Sequence, residues 1–427
     1  MTSQGPKVSL LSFPYIELEE ACALVRQHVR PLPPQAVHFT EAQGLILAED
    51  VLASDDLPPF PASVVDGYAL RAADGTQPRQ VVGEQTAGTI GAVTVGPGEA
   101  AWVTTGAALP EGADAVVKVE DTEQVNGRIV PRVLPRPGDH VRPVGHDVAR
   151  GQRVLARGTY LGPAEIGVLA TVNAVAVSVF PRPRVAVLST GDELIEPGKP
   201  LPPGHIRDSN RYTLMAAVRQ AGGIPVDLGL VPDDETALRA ALARGLEEGD
   251  MILSTGGVSM GSRDLLKSLL AEMGTVHFGR VRIKPGKPVT FATVNTKPVF
   301  ALPGNPVSAL VSFYLYVEPA IAILRGDVDW QRPRVRVILA HDIEREPGRV
   351  EFQRARVWRE GDVLYARTTG VQASSRLLSM VGADVLLRLE ADWTHVKAGT
   401  AVEALVLPPA PAWLGQDNTL QKGGACG

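Results

Sequence analysis

"MILSTGGVSMGSRDL", residues 251–265, opens on the apolar run Met251-Ile252-Leu253. It turns small and polar through Ser254, Thr255, Gly256 and Gly257, and reaches Asp264 where a second apolar run starts. Upstream, "VAVLSTGDEL", residues 185–194, repeats the pattern: an apolar run, then Ser189-Thr190-Gly191, then Asp192 and Glu193. Short apolar runs bounded by glycine and small residues read as buried strands. Two such strands ending in the same Ser-Thr-Gly predict loops that share one rim, because an open parallel sheet binds ligands beyond the carboxyl ends of its strands.

The surrounding rhythm agrees. "RVAVLST" precedes "DSNRYTLMAAVRQAGG", whose Asp/Ser start, Gly stop and i, i+3, i+4, i+7 spacing of Leu214, Ala217, Val218 and Ala221 predict a helix. "PVDLGLV" leads through "PDD" into "ETALRAALARGLEEG". "DMILST" leads into "LLKSLLAEMG", and "VFALPG" leads through "NP" into "VSALVSFYLYVEPAIAIL". Strands alternating with helices predict a parallel α/β sheet, covered on both faces, over residues 179–330.

The loops of that rim carry the chemistry. Ser254, Gly256 and Gly257 offer backbone N–H groups to an anion, and the following helix start adds a favourable dipole. Asp192, Glu193, Asp233, Asp234 and Asp264 follow three strands yet converge on one edge. Several carboxylates beside a phosphate site point to a hard cation such as Mg²⁺. Helix capping is the plainer reading of Asp233 or Asp264 taken singly. The run "GRVRIKPGKPVTF" supplies the basic partner, and strand alternation places Arg280, Arg282 and Lys284 on one side. A lysine-protected edge strand is the plainer reading here, while Arg280, Lys284 and Lys287 among prolines favour an anion site. "LPGNPVSA" brings Pro303, Gly304, Asn305 and Pro306 to a strand end and a helix start, a rigid turn facing the same rim. No Walker loop and no GxGxxG opening a βαβ unit is present. His277 lies in an apolar segment and reads as structural.

The 427 residues are too many for one core, so two to four domains are expected. With 44% hydrophobic and 21% charged residues, the composition is that of a soluble globular protein. A net charge of −5 does not favour nucleic acid. No apolar run approaches the length needed to cross a bilayer, "MTSQGPKVSL" lacks the charged and apolar regions of a signal peptide, and a cytoplasmic enzyme is expected. Cys22 and Cys426 form neither a disulfide framework nor a zinc site. Residues 8–54 read as helical. With the helical "GPAEIGVLATV" of residues 148–178 they predict a discontinuous helical domain. Short β-type runs over 55–147, with an Asn126-Gly127 hairpin turn, predict an inserted β domain. Residues 331–409 predict a small β-barrel, and 410–427 read as a disordered tail.

"STGDEL", "DSNRY", "STGGVSMGSRDL", "KPGKP" and "LPGNPVSA", in this order, resemble the molybdopterin molybdenumtransferase family, which includes the C-terminal domain of gephyrin. "PPFPASVVDGYA", "VTTGAALPEGADAVVKVED", "VGHDVARGQ" and "LGPAEIG" resemble its N-terminal half, and "TGVQASSRLLSMVGADVL" its C-terminal β domain. The resemblance implies a central sheet domain of molybdopterin-binding type and the last step of molybdenum cofactor assembly. Molybdate enters adenylylated molybdopterin and AMP leaves, with Mg²⁺ required. It implies Asp66, Thr105, Glu193, Asp233 and Asp264 as catalytic positions, with Glu193 and Asp264 the expected metal ligands, and adds Asp147 to the substrate-binding set. It also implies a homodimer that brings Asp66 and Thr105 into the site, and an upstream molybdopterin adenylyltransferase as partner. Two other readings stay open at this point. A molybdopterin adenylyltransferase shares the α/β region but lacks the "DGYA" half, and a gephyrin-like scaffold has no need of the acids.

Overall fold

A computed structural model describes residues 13–256 and 265–409. They form two compact units: Gln35–Val179, and the residues up to Pro34 together with those from Phe180 onward.

In the second of these units, strands β1 (Arg184–Thr190), β2 (Ile224–Val231) and β3 (Met251–Thr255) alternate with helices, and β4 (Thr275–Phe278), β5 (Ile283–Lys284), β6 (Thr290–Val294) and β7 (Lys297–Leu302) follow one another. The sheet order is β2-β1-β3-β7-β6-β4. It is parallel from β2 to β7, and β6 and β4 add an antiparallel edge. Alternation along β1 sends Val185 and Val187 to one face and Ala186 and Leu188 to the other. The first face is covered by α1 (Leu18–His28), α2 (Asn210–Gln220) and α5 (Pro306–Leu324), the second by α3 (Glu235–Glu248) and α4 (Leu265–Met273). A leucine or valine so buried contributes about 1.5–3 kcal/mol. The β6–β7 turn uses Asn295 and Thr296, both at positive φ, the twist-matched form of a two-residue hairpin.

Helix α5 corrects one expectation. It has 19 residues of mean hydropathy 1.8, long and apolar enough to cross a membrane, yet 94% of that stretch is buried inside the protein. Its middle turn, Phe313–Val317, is a π-helix. Pro319 cannot donate to the Leu315 carbonyl four residues back, and the Cys22 thiol of α1 points at that oxygen from 3.9 Å. Near α1, His277 shares a proton with Thr293 Oγ1 at 2.9 Å and stacks on His28. Burial, then the neighbouring His28, push its pKa down to about 4, so it sits there as a neutral core side chain.

Beyond α5, strands β8 (Arg334–Leu339), β9 (Val350–Glu360), β10 (Val363–Thr368), β11 (Val385–Leu389) and β12 (Ala401–Val406) pair in the ring β9-β10-β8-β12-β11-β9, a closed five-stranded barrel. Val337, Leu339, Ala355, Val357, Leu387 and Val402 fill it. Strand β5 joins its rim by parallel pairing of Ile283 with Val350 and Lys284 with Glu351.

In the unit Gln35–Val179, a four-stranded sheet has the order Gln80–Gln85, Glu99–Val103, Gly67–Leu70, Ala115–Lys118. The Asn126-Gly127 turn forms as expected, both residues at positive φ between paired Val125 and Arg128. Segments 35–54 and 148–179 close around Leu47, Val51, Leu161, Leu169 and Val179. The helical reading of 8–54 is corrected here. Only α1 is an α-helix, and it packs on the α/β sheet; Gln35–His38, Ile46–Leu47 and Val51–Leu52 are strands. Three prolines end α1, and Gly44 at φ 78° breaks the later stretch before its apolar residues find strand partners. The tail reading of 410–427 falls outside the described residues.

Candidate functional site

The C-terminal ends of β1, β3 and β7 meet at the sheet rim. Gly256 follows β3 at φ +92°, and a Cβ there would stand 2.1 Å from the Thr190 carbonyl oxygen at the end of β1. Only glycine allows that approach. A Cβ on Gly304 would lie 3.7 Å from Gly256 Cα, so the loop after β7 closes on the same point. Asn210, the first residue of α2, ties them: its Nδ2 donates to Thr255 Oγ1 at 2.9 Å and to the Gly304 carbonyl at 2.8 Å. Thr255 Oγ1 donates in turn to the Pro303 carbonyl at 3.1 Å. The buried hydroxyls of Thr190 and Ser254, at the ends of β1 and β3, find no hydrogen-bond partner. Buried polar atoms are paired as a rule, so these two mark a place for polar ligand atoms.

Beside this cradle, the Glu193 carboxylate folds over Gly191, is exposed, and has no hydrogen-bond or ion-pair partner among the described residues. Asp192 Oδ1 accepts from the Asp233 N–H at 3.3 Å, which links the loops after β1 and β2. Capping of α3 falls to Asp234, whose Oδ1 accepts from Ala237 N at 2.9 Å, and leaves the Asp233 carboxylate out of that role. The loop between Glu193 and α2 is fastened by Arg211, which reaches Asp208, Asp227 and Glu196 at once.

Next to the rim opens a cleft of ≈ 720 Å³, walled by Lys284, Gly286, Lys287, Asn305 and Ser308 of the α/β domain and by Arg349, Glu351, Gln353, Gln372 and Ser374 of the barrel region. Alternation holds along the basic run: Val281 and Ile283 are buried while Arg280, Arg282 and Lys284 point outward. Arg280 and Arg282 face the Tyr15 ring, at 5.9 and 5.7 Å, and neither lines the cleft. Lys287 lines it, and a hydrogen bond from its ammonium holds the Tyr15 phenol below the ordinary tyrosine range. His341, also in the wall, is pushed down by burial and by Arg367, so near neutral pH it adds no charge.

In the other unit, Thr105 donates from both N and Oγ1 to Asp66 Oδ1, at 2.7 and 3.0 Å. Antiparallel pairing of Gly67 with Val103 places the residue before one strand beside the loop after the other. Asp147 pairs with Arg142 and His146 on an exposed surface. Gly257 and Asp264 lie outside the described residues. Pro306 occupies the first turn of α5 behind its N-cap Asn305. Asn210 and the barrel residues Arg349, Gln353, Gln372 and Ser374 were not predicted. An asparagine directly after a strand-loop and opening a helix was the available signal for the first. Gln372 and Ser374 lie within the quoted "TGVQASSRLLSMVGADVL", whereas Arg349 and Gln353 carry no local pattern.

An unpartnered carboxylate beside a glycine-bounded cradle that holds two buried hydroxyls suits a hard cation together with a phosphate. The cleft brings Lys284, Lys287 and Arg349 together with Asp342, Glu344 and Glu351, so an anion would be met at the lysine side of its wall. Among the described residues no group of three or more His, Cys, Asp or Glu side chains forms a metal cluster, whereas Mg²⁺ needs only one or two carboxylates plus substrate oxygens.

Comparison with known proteins gives the following. Residues 16–173 match the family model "MoeA N-terminal region (domain I and II)", 186–323 the "Probable molybdopterin binding domain", and 336–407 the "MoeA C-terminal region (domain IV)". The chain is 36% identical to a molybdopterin molybdenumtransferase of Haemophilus influenzae over 87% of this chain and 94% of that protein. It is 36% identical to molybdopterin molybdenumtransferase 2 of Mycobacterium tuberculosis over 90% and 98%. Among solved structures it resembles the molybdopterin biosynthesis MoeA protein of Pyrococcus horikosii, with TM-score 0.81 and 32% identity over 92% of this chain and 99% of that one.

Proposed function

This chain belongs to the molybdopterin molybdenumtransferase family and is an enzyme of molybdenum cofactor biosynthesis, and on that premise we propose that it inserts molybdate into adenylylated molybdopterin with release of AMP. The observation that carries this reading is the junction of two anion-suited places in one unit. The cradle of Thr190, Ser254, Gly256, Gly304 and Asn210 lies at the sheet rim, and the cleft bearing Lys284 and Lys287 shares its Asn305 turn. The cradle suits the phosphoanhydride, and the cleft suits a doubly charged tetrahedral oxyanion.

In the proposed reaction, water adds to one phosphorus as the bridging P–O bond breaks, giving AMP and the pterin phosphate. Molybdate takes the two dithiolene sulfurs, and one oxide leaves as water with the two thiol protons. Mg²⁺, when bound, neutralises the pyrophosphate and polarises it for attack. Glu193 would hold it, with Asp264 as the second expected ligand. The chain's own contribution is orientation: Asn210 fixes the loops after β3 and β7 around the place where the phosphate oxygens would lie. Lys284 and Lys287 offset the oxyanion charge. Asp66, held by Thr105, Asp147 and Asp233 remain part of the proposed polar set, as do a homodimer, a cytoplasmic location and supply of substrate by an upstream molybdopterin adenylyltransferase. The family resemblance supports these.

Glu193→Gln is expected to raise the Mg²⁺ concentration for half-maximal turnover about tenfold, because one anionic oxygen ligand is lost, while the melting temperature stays put, since the exposed carboxylate has no hydrogen-bond or ion-pair partner among the described residues. Turnover titrated with Mg²⁺ and a thermal melt read both. An unchanged Mg²⁺ requirement would remove Glu193 from the metal's ligands. AMP release from adenylylated molybdopterin tests the function itself.

A further inference from the structure

The ammonium of Lys284 does not stand alone in the cleft. Its Nζ lies 3.4 Å from Glu351 Oε1, across the parallel pairing of Lys284 with Glu351 that joins β5 to the barrel strand β9. Glu351 is itself immobilised. Gln353 Nε2 donates to the same Oε1 at 3.1 Å, and Arg345 Nε donates to Oε2 at 3.1 Å. Arg345 is locked by carbonyl oxygens of Glu390, Trp393 and Arg349 and is 1% exposed; the Glu351 side chain is 4% exposed and that of Lys284 37%. Lys284, Glu351 and Gln353 all line the cleft.

Charge counting separates two roles for this carboxylate. Arg345 already offsets Glu351, so the triad of Glu351, Arg345 and Lys284 carries one net positive charge, located on the one member that reaches solvent. A lysine ammonium is a point charge on a flexible four-carbon stem with three rotatable donors. Pairing that ammonium at 3.4 Å with a rigid carboxylate sets its place on the cleft wall. We propose that Glu351 is a positioning residue for the oxyanion subsite: through their ion pair it holds the Lys284 ammonium in place on the cleft wall. This rests on the functional reading above, which assigns that cleft to molybdate.

The sign of one measurement decides the matter. If Glu351 merely adds negative charge to the cleft, Glu351→Gln makes the cleft more positive and tightens anion binding. If it positions Lys284, the same variant weakens binding. Calorimetric titration of the full chain with molybdate at fixed ionic strength is expected to show a Kd about two- to fivefold higher in Glu351→Gln, the scale of a partly exposed ion pair. The KM for molybdate should rise alongside while kcat changes little. In a Lys284→Met background the Glu351→Gln effect should vanish, which a merely structural role would not produce. Gln353→Leu loosens the carboxylate without altering any charge, answers the same question should Glu351→Gln fail to fold, and is expected to weaken binding in the same direction. Equal or tighter binding in these variants, beside a wild type that binds molybdate, overturns the inference alone. A wild type that takes up no molybdate overturns the functional reading beneath it.

Discussion

Arg211→Ala is expected to lose about 3–5 kcal/mol of stability, the scale of removing one partner from a buried ion pair. The Arg211 side chain is 3% exposed and that of Asp208 1%. Arg211 Nε reaches Asp208 at 3.0 Å, Nη1 meets Asp227 at 2.5 and 2.7 Å, and Nη2 meets Glu196 at 2.6 and 2.7 Å. Burial alone would lower the guanidinium pKa, but hydrogen bonds to Asp227 and Asp208 outweigh it and hold it above its ordinary value. Without the cation, Asp208 keeps only Ser189 Oγ and the Arg211 N–H, both at 3.1 Å, and stays buried and charged near two other acids. Glu196 and Asp227 are partly solvated and add little, so Asp208 dominates the loss. Arg211→Lys should fall between, because one ammonium cannot span three carboxylates. Urea unfolding measures both. A loss below about 1 kcal/mol in the alanine variant would mean that the cluster behaves as a solvated surface network. Activity should fall with stability, since the cluster fastens the loop that follows Glu193.

Gly256→Ala is expected to cut turnover about 100-fold, the usual consequence of shifting reacting groups by about 1 Å, and to cost about 2–5 kcal/mol through backbone strain plus overpacking. The added Cβ would stand 2.1 Å from a backbone oxygen, that of Thr190, which cannot rotate away as a side chain would. The strands β1 and β3 are paired Ser189 to Thr255, so relief must part the two loops that form the cradle. Gly229→Ala is the control. Gly229 also has positive φ, +84°, but a Cβ there meets open space, so it should show only the conformational cost of about 1–2 kcal/mol and retain turnover. Equal effects at the two glycines would show that conformation, and not close approach, makes Gly256 necessary.

How far the sequence could be read depended on how local each cause was. The α/β region was legible because strand and helix periodicities differ and alternate cleanly from Arg184 to Met273. Its Ser-Thr-Gly ends fell on one rim because parallel strands must end on the same edge. The antiparallel edge was hidden, since its hairpin uses Asn295-Thr296 where Asn-Gly would have announced it. Residues 35–54 misread as helix because apolar spacing survives in short strands, while the partners that pair with them, at 153–155 and 176–179, lie elsewhere in the chain. Asp234 and Asp233 stand side by side, and only the backbone decides that the first caps α3. The barrel's share of the cleft was invisible for a different reason. Glu351, Gln353, Gln372 and Ser374 are ordinary polar residues of strand and loop, and only closure of the ring brings them opposite Lys284.

The central claim is that one unit joins a phosphoanhydride cradle to an oxyanion cleft, so that pterin and molybdate react together. Its most direct test incubates the purified chain with Mg²⁺, molybdate and adenylylated molybdopterin, and follows AMP by chromatography and active cofactor by activation of a cofactor-free molybdoenzyme. The account predicts AMP and active cofactor appearing together, both dependent on the protein. Formation of adenylylated pterin from ATP, with no AMP released from it, would contradict the account and assign the chain to the preceding step.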